Sequence, residues 1–380
     1  MKRIIVAPDS FKESLDASQA AEAIADGFKR VFPDLDIVKF PMSDGGEGLV
    51  RSLAAVSGGR QLKCRVTGPL GTPVDAFLGL LSEGAICVIE MAAASGLPLV
   101  PPEQRNPFLT TTYGTGELIK CALNTGCKKI IVGIGGSATN DGGAGMAQAL
   151  GARLLSGTGK EIALGAKGLR ELSSVEVGGL DERLKDVEIV VAVDVKNPLC
   201  GPSGASYVYA PQKGATPEML PVLDQILHNF AEVIKRDIGK DVKDIPGAGA
   251  AGGLGAGLVA FLGADMRPGV EVVLEVVNME KALQEGADLV VTGEGQLNRQ
   301  TTFGKVPVGV AKLAKNYNVP VLALVGSLGD GAELVLAHGI DAYFSTIPRP
   351  MSLSDAMTEA RGNLADTAEQ CARVIKMCQP

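Results

Sequence analysis

The chain has 380 residues, with 36 Lys plus Arg against 43 Asp plus Glu for a net charge of −7, 49 glycines, two histidines and no tryptophan. That acidic balance lacks the basic field that nucleic-acid and anionic-membrane binders need, and two histidines exclude a multi-histidine metal site or a histidine relay. With 46% hydrophobic and 21% charged residues the composition is that of a soluble globular protein, and at roughly 150 residues per domain the length fits two domains.

In chain order, residues 2–7 (KRIIVA) predict a strand, and Asp16 with Gln19 predicts a capped helix burying Ile24, Phe28 and Val31. Residues 36–40 predict a second strand, followed by the loop SDGGEG (43–48) and another helix, the β-loop-α-β rhythm of a parallel sheet. From about residue 61 the rhythm changes: QLKCRVTG, VDAFLGLL and AICVIEMA are short strands divided by turn clusters, which predicts hairpins and a mixed sheet. A helix over GELIKCAL, a strand over 128–134, the loop GGSATNDGGAG and a strand over 187–195 follow. A long helix is expected with Thr216 as N-cap and Pro217 in its first turn, burying Leu223, Ile226, Phe230 and Val233. After PGAGAAGGLGAG (246–257) the parallel rhythm returns, with strands over 287–295, 319–327 and 340–346 and helices between them. The ends of the chain thus resemble each other. The predicted architecture is an α/β domain with a parallel sheet built from 1–61 and 287–380, and an inserted α/β domain with a mixed sheet over 62–286.

The N-terminus turns polar within ten residues, too soon for a signal segment, and no run approaches 18 apolar residues. Seven cysteines, an odd number with no C-x-x-C, mostly occupy apolar runs and read as buried reduced thiols, so a cytoplasmic location is expected. His228 on the polar side of its helix and His338 before Gly339 read as structural.

Five acidic or glycine-rich loops each follow a predicted strand: 7–14, 42–48, 133–145, 191–201 and 292–305. Ligands gather at such strand ends, where glycine lets backbone N–H groups approach phosphate oxygens. The P-loop pattern is absent. Gly133-x-Gly135-x-x-Ala138 matches the dinucleotide pattern formally, without the expected ribose-binding acid, and supports a nicotinamide dehydrogenase only weakly. Carboxylates, lysines and glycine loops without histidine suit phosphoryl transfer, which rests on positioning and charge neutralisation.

The segments APDSFKESL, SDGGEG, VTGPLG, IEMAAASGL, TGEL, GIGGSATNDGGAGMAQALGA, DVKNPLCGPSGA, APQKGAT, PGAGAAGGLGAG, TGEGQL and QTTFGKVPVGVA together resemble the type I glycerate kinase family, the bacterial glycerate 2-kinases. The resemblance implies a discontinuous flavodoxin-like domain, an inserted domain and an active site between them. It also implies phosphorylation of D-glycerate by ATP with Mg²⁺, mainly at the 2-hydroxyl. Asn298 and Arg299 stand where the family usually carries Asp, often followed by Ser, and Leu49 stands for a common threonine; a relative altered in substrate or without turnover is the alternative that Asn298 raises.

The expected catalytic residues are Asp194, Asp44 and Lys12, with Asp44, Asp194 and Glu47 as metal ligands. Asp194 ends a run of predicted buried strand residues, where a carboxylate is costly unless used or paired. Asp9, Ser10, Asn140 and Asp141 are expected to bind substrate, and Gly135, Gly136, Ser137, Glu294 and Lys305 nucleotide phosphates. Lys213 is a weaker cation candidate, Arg105 is expected at the surface, and the glycines of 247–257 serve either nucleotide binding or close packing. The partners expected are glycerate and ATP, with no nucleic acid and no membrane, and a homodimer is the candidate assembly.

Overall fold

A computed structural model describes residues 1–43 and 48–378. The chain forms two compact units: Met1–Asp44, Arg51–Ser57 and Pro268–Pro380 in the first, Gly45–Val50 and Gly58–Arg267 in the second. The return to the first unit comes at Pro268 rather than at 287. The reason is packing: Val270, on the helix Gly269–Val276, sits against Gly309 of the helix Val306–Lys315.

In the first unit, three central strands with buried apolar runs and two less buried edge strands make an all-parallel sheet of five strands. Its order is Asp36–Lys39, Arg3–Pro8, Leu289–Leu297, Val321–Leu328 and Ala342–Ser345. Numbered within the unit this is 2-1-3-4-5, the flavodoxin-like order, with ligand sites expected at the carboxyl ends of the strands. Pairing of Ile4 with Leu289 through Pro8 with Gly293 brings the loop after Arg3–Pro8 beside the end of Leu289–Leu297. The helix Ala17–Lys29 starts at the expected capping box: the Asp16 carboxylate accepts from the Gln19 N–H, and the Gln19 side chain accepts from the Asp16 N–H. It buries Ala20, Ile24 and Phe28 against the helix Ala360–Cys378.

The second unit holds a six-stranded mixed sheet ordered Asp265–Arg267, Glu188–Ala192, Lys129–Gly133, Ile86–Glu90, Pro73–Leu81 and Arg60–Thr67. The first four strands are parallel and the last two are antiparallel, as the turn clusters predicted. The strands Arg153–Ser156 and Leu172–Glu176 form a separate antiparallel pair. The long helix begins at Met219, not at Thr216: the Met219 N–H donates to the Thr216 carbonyl and closes a turn through Pro217 and Glu218 first. Its apolar positions are buried as expected, with Leu223 and Phe230 fully enclosed.

The contact between the helices Ala17–Lys29 and Ala360–Cys378 depends on Gly27, where a Cβ would lie 2.2 Å from the Ala365 carbonyl oxygen. Gly27→Ala is expected to force the helices apart and destabilise the protein by about 1–3 kcal/mol, read as a lower denaturant midpoint.

Candidate functional site

In the second unit the loop 134–143 leaves the end of Lys129–Gly133 and is held from within. Asn140 and Asp141 are fully buried. The Asp141 carboxylate accepts from the Thr112 N–H and hydroxyl at 2.9 Å each, and from the N–H groups of Gly143 and Gly145 at 3.2 and 3.3 Å. Burial drives its pKa up, and those donors oppose the shift. Asp141 therefore ties the loop to the start of the helix Tyr113–Leu123. The Asn140 amide donates to Ser206 Oγ at 3.1 Å, while Asn140 Oδ1 and Thr139 Oγ1 are buried without a partner among the described residues.

Gly135 and Gly136, by contrast, are exposed at the front of this loop, and Ser137 stands beside them at 7% exposure. Behind them lies Lys213, which sequence reasoning ranked low. It is 1% exposed, and its Nζ donates to Ser137 Oγ and to the Thr139 carbonyl, both at 2.7 Å. Burial lowers its pKa from 10.5 to about 7, against the pull of nearby Asp141. Lys213 and Ser137 are 76 positions apart, and no local pattern announced the pairing.

Glycine-rich 247–257 lies behind the same loop. It runs into the buried segment Ala250–Leu262, whose backbone is left-handed at Ala251, Gly252 and Gly253, and Gly252, with a φ of +68°, has a would-be Cβ 1.9 Å from the Thr139 carbonyl oxygen. The close-packing reading thus accounts for the tract. Asp194 departs from expectation: it is exposed, two residues beyond the strand Glu188–Ala192, so no burial cost argues for its use. Arg105 is half-buried, with its backbone against Gly214. Glu90, at the end of Ile86–Glu90, was passed over. Its carboxylate accepts from the N–H groups of Val50 and Gly48, anchoring the helix Leu49–Ser57 at its start. A carboxylate at a parallel strand end was the available signal, the same one that picked out Asp194 and Glu294. Asp44 and Glu47 lie outside the described residues.

In the first unit the loop after the strand Arg3–Pro8 lies beside the strand Leu289–Leu297. The Asp9 N–H donates to the Gly293 carbonyl, and a Cβ on Gly295 would lie 3.4 Å from the Lys12 nitrogen, so 9–12 and 293–296 are neighbours. Asp9 and Ser10 are half-buried, and Lys12 is exposed. Glu294 is 6% exposed and accepts from the buried Thr301 hydroxyl at 2.5 Å. Lys305 is half-buried at the start of the helix Val306–Lys315. Asn298 Oδ1 accepts from the Gln300 N–H at 2.8 Å and caps the short helical turn Arg299–Phe303, while its amide nitrogen donates to Gln296.

Among known proteins, the profile of the glycerate kinase family matches residues 4–376. The chain belongs to the glycerate kinase family. It is 54% identical to the glycerate kinase of Bacillus subtilis (strain 168) over 377 residues, covering 99% of this chain and 98% of that one. It is 50% identical to the glycerate 2-kinase of Escherichia coli (strain K12) over 373 residues, covering 98% of each. A crystal structure of a protein assigned as glycerate kinase 2 from Salmonella typhimurium LT2 superposes with a TM-score of 0.90 at 52% identity, covering 99% of this chain and 98% of that one. The glycerate kinase motif TGEL is explained by packing: Thr115 bonds Ser95, Gly116 lies against the Met146 carbonyl, and Glu117 accepts from the Thr67 N–H.

Lys213 also sets a pH dependence. Its folded pKa of about 7 lies below the unfolded value, so between the two the unfolded chain binds more protons and stability rises with pH. From about pH 7 to pH 10 the urea midpoint of the wild type is expected to rise relative to that of Lys213→Met, which lacks this group.

Proposed function

We propose that this protein transfers the γ-phosphoryl group of ATP to D-glycerate at the 2-hydroxyl, giving 2-phosphoglycerate and ADP. The observation that carries the reading is full-length similarity at 50% identity to a glycerate 2-kinase. The loop chemistry supports it: the amides of Gly135 and Gly136 and the Ser137 hydroxyl are suited to phosphate, as is the Lys305 ammonium. Lys12, Asp9 and Ser10, beside Glu294 at the strand ends of the first unit, offer a cation and hydrogen-bonding groups to a hydroxy acid.

Mg²⁺ belongs to the same proposal. Among the described residues no group of three His, Cys, Asp or Glu is placed to hold an ion. Mg²⁺ on a nucleotide, however, needs only one or two carboxylates beside the phosphates, and exposed Asp194 at a strand end fits that donor set, with Asp44 and Glu47 as further proposed ligands. When bound, the ion neutralises phosphate charge. The proton of the attacking hydroxyl is assigned to a carboxylate, Asp194 or Asp44. No helix among the described residues is long and apolar enough to cross a membrane. A cytoplasmic location without nucleic-acid or membrane partners is part of the proposal.

Purified protein with ATP, Mg²⁺ and D-glycerate is expected to release ADP and to feed enolase directly, because enolase accepts 2-phosphoglycerate. Absence of ADP release would overturn the kinase reading, and ADP release without direct enolase turnover would overturn the 2-position. Asn298 bears on the alternative of a relative without turnover. Its oxygen is spent on a helical cap that Asp would also make, so Asn298→Asp is expected to leave kcat unchanged; a large gain in kcat would show that the negative charge is required.

A further inference from the structure

Ser137 is held by one specific donor. The Lys213 amine gives hydrogens to Ser137 Oγ and the Thr139 carbonyl at 2.7 Å each, and it has enough hydrogens for both acceptors whether charged or neutral. Ser137 Oγ is therefore an acceptor on its buried side, and its own hydrogen must point elsewhere. Lys213 occupies that buried side, while exposed Gly135 and Gly136 mark the open one. Among the described residues, the N–H groups of Gly135, Gly136 and Ser137 donate to no backbone carbonyl. The Gly136 carbonyl is held by the Leu97 N–H and the Ala138 N–H by the Ser95 carbonyl, so the turn is braced on both sides of Ser137. A hydroxyl presented as a donor beside unspent amides recognises an oxyanion, and an oxygen already engaged by an amine is poorly disposed to act as a nucleophile.

We propose that Lys213 is a positioning residue that fixes the Ser137 hydroxyl as an outward hydrogen-bond donor to a substrate oxyanion, and that it acts on the substrate only through Ser137. This rests on the kinase reading above. The two oxyanions in that reaction are a nucleotide phosphate and the glycerate carboxylate, and the chemistry of the turn is the same for either.

The test compares wild type with Ser137→Ala, Ser137→Thr, Lys213→Met and the Ser137→Ala/Lys213→Met double variant, measuring kcat, KM for ATP and KM for glycerate separately. Loss of a hydrogen bond to a charged oxygen is expected to raise one of the two KM values by about tenfold in Ser137→Ala, with kcat nearly unchanged. Which KM moves identifies the oxyanion. Ser137→Thr, which keeps the hydroxyl, is expected to restore it. Lys213→Met is expected to raise the same KM, and the double variant to be no worse than Lys213→Met, because the two residues act as one unit. Unchanged KM values in Ser137→Ala, a fall in kcat alone, or multiplying effects in the double variant would overturn the proposal. Should Lys213→Met fail to fold, the Ala and Thr variants at 137 decide. Should the wild type not phosphorylate glycerate, the kinase reading fails on its own. Calorimetric binding of ATP and of glycerate to wild type and Ser137→Ala then decides whether Ser137 donates to either anion, equal affinities overturning it.

Discussion

The backbone of the second unit's glycine tract runs so close to the loop after Lys129–Gly133 that no side chain fits between them. Gly252 meets the Thr139 carbonyl at 1.9 Å for a notional Cβ, and its own carbonyl accepts from the Gly142 N–H at 3.0 Å. That contact fixes residues 139–142 in the interior, and the chemistry of the loop follows from it. Once Thr139 and Asp141 are inside, their polar atoms need partners or they cost stability. Thr112, Gly143 and Gly145 answer for Asp141, and Lys213 answers for the Thr139 carbonyl.

The buried groups and the exposed ones divide the work of a single loop. Asp141 and Lys213 are held out of water, each with its pKa moved toward the neutral form by burial. Both spend their hydrogen bonds on the backbone, on the Thr112 hydroxyl and on Ser137. The exposed glycines and the adjoining Ser137 inherit a fixed geometry from them, and such pre-organisation is what lets a small number of donors bind an anion without a further ordering cost. In the first unit the same principle is met differently: parallel pairing of Arg3–Pro8 with Leu289–Leu297 sets the loop at 9–12 beside Glu294, and Thr301 holds the carboxylate.

Much of this was legible because it is local. The Asp16 and Gln19 capping box, the apolar runs of the parallel strands and the hairpin turns between 61 and 90 are patterns within a few residues, and they form where they were expected. The failures are also instructive. Thr216 and Pro217 have helix-start chemistry, yet the Thr216 carbonyl first closes a turn. Asp194 follows five apolar residues, yet the chain leaves the sheet before reaching it, so apolar neighbours in sequence did not mean apolar surroundings in space.

By itself the sequence determined the element types, the discontinuous parallel domain, the family and the loops where ligand chemistry concentrates, since periodicity, capping and motifs are properties of neighbouring residues. Only the tertiary structure decided which polar residues of those loops face inward. Asn140, Asp141 and Ser137 are near neighbours in the chain, and their burial depends on Gly252, Thr112 and Lys213, which lie far from them in sequence and meet them only through packing.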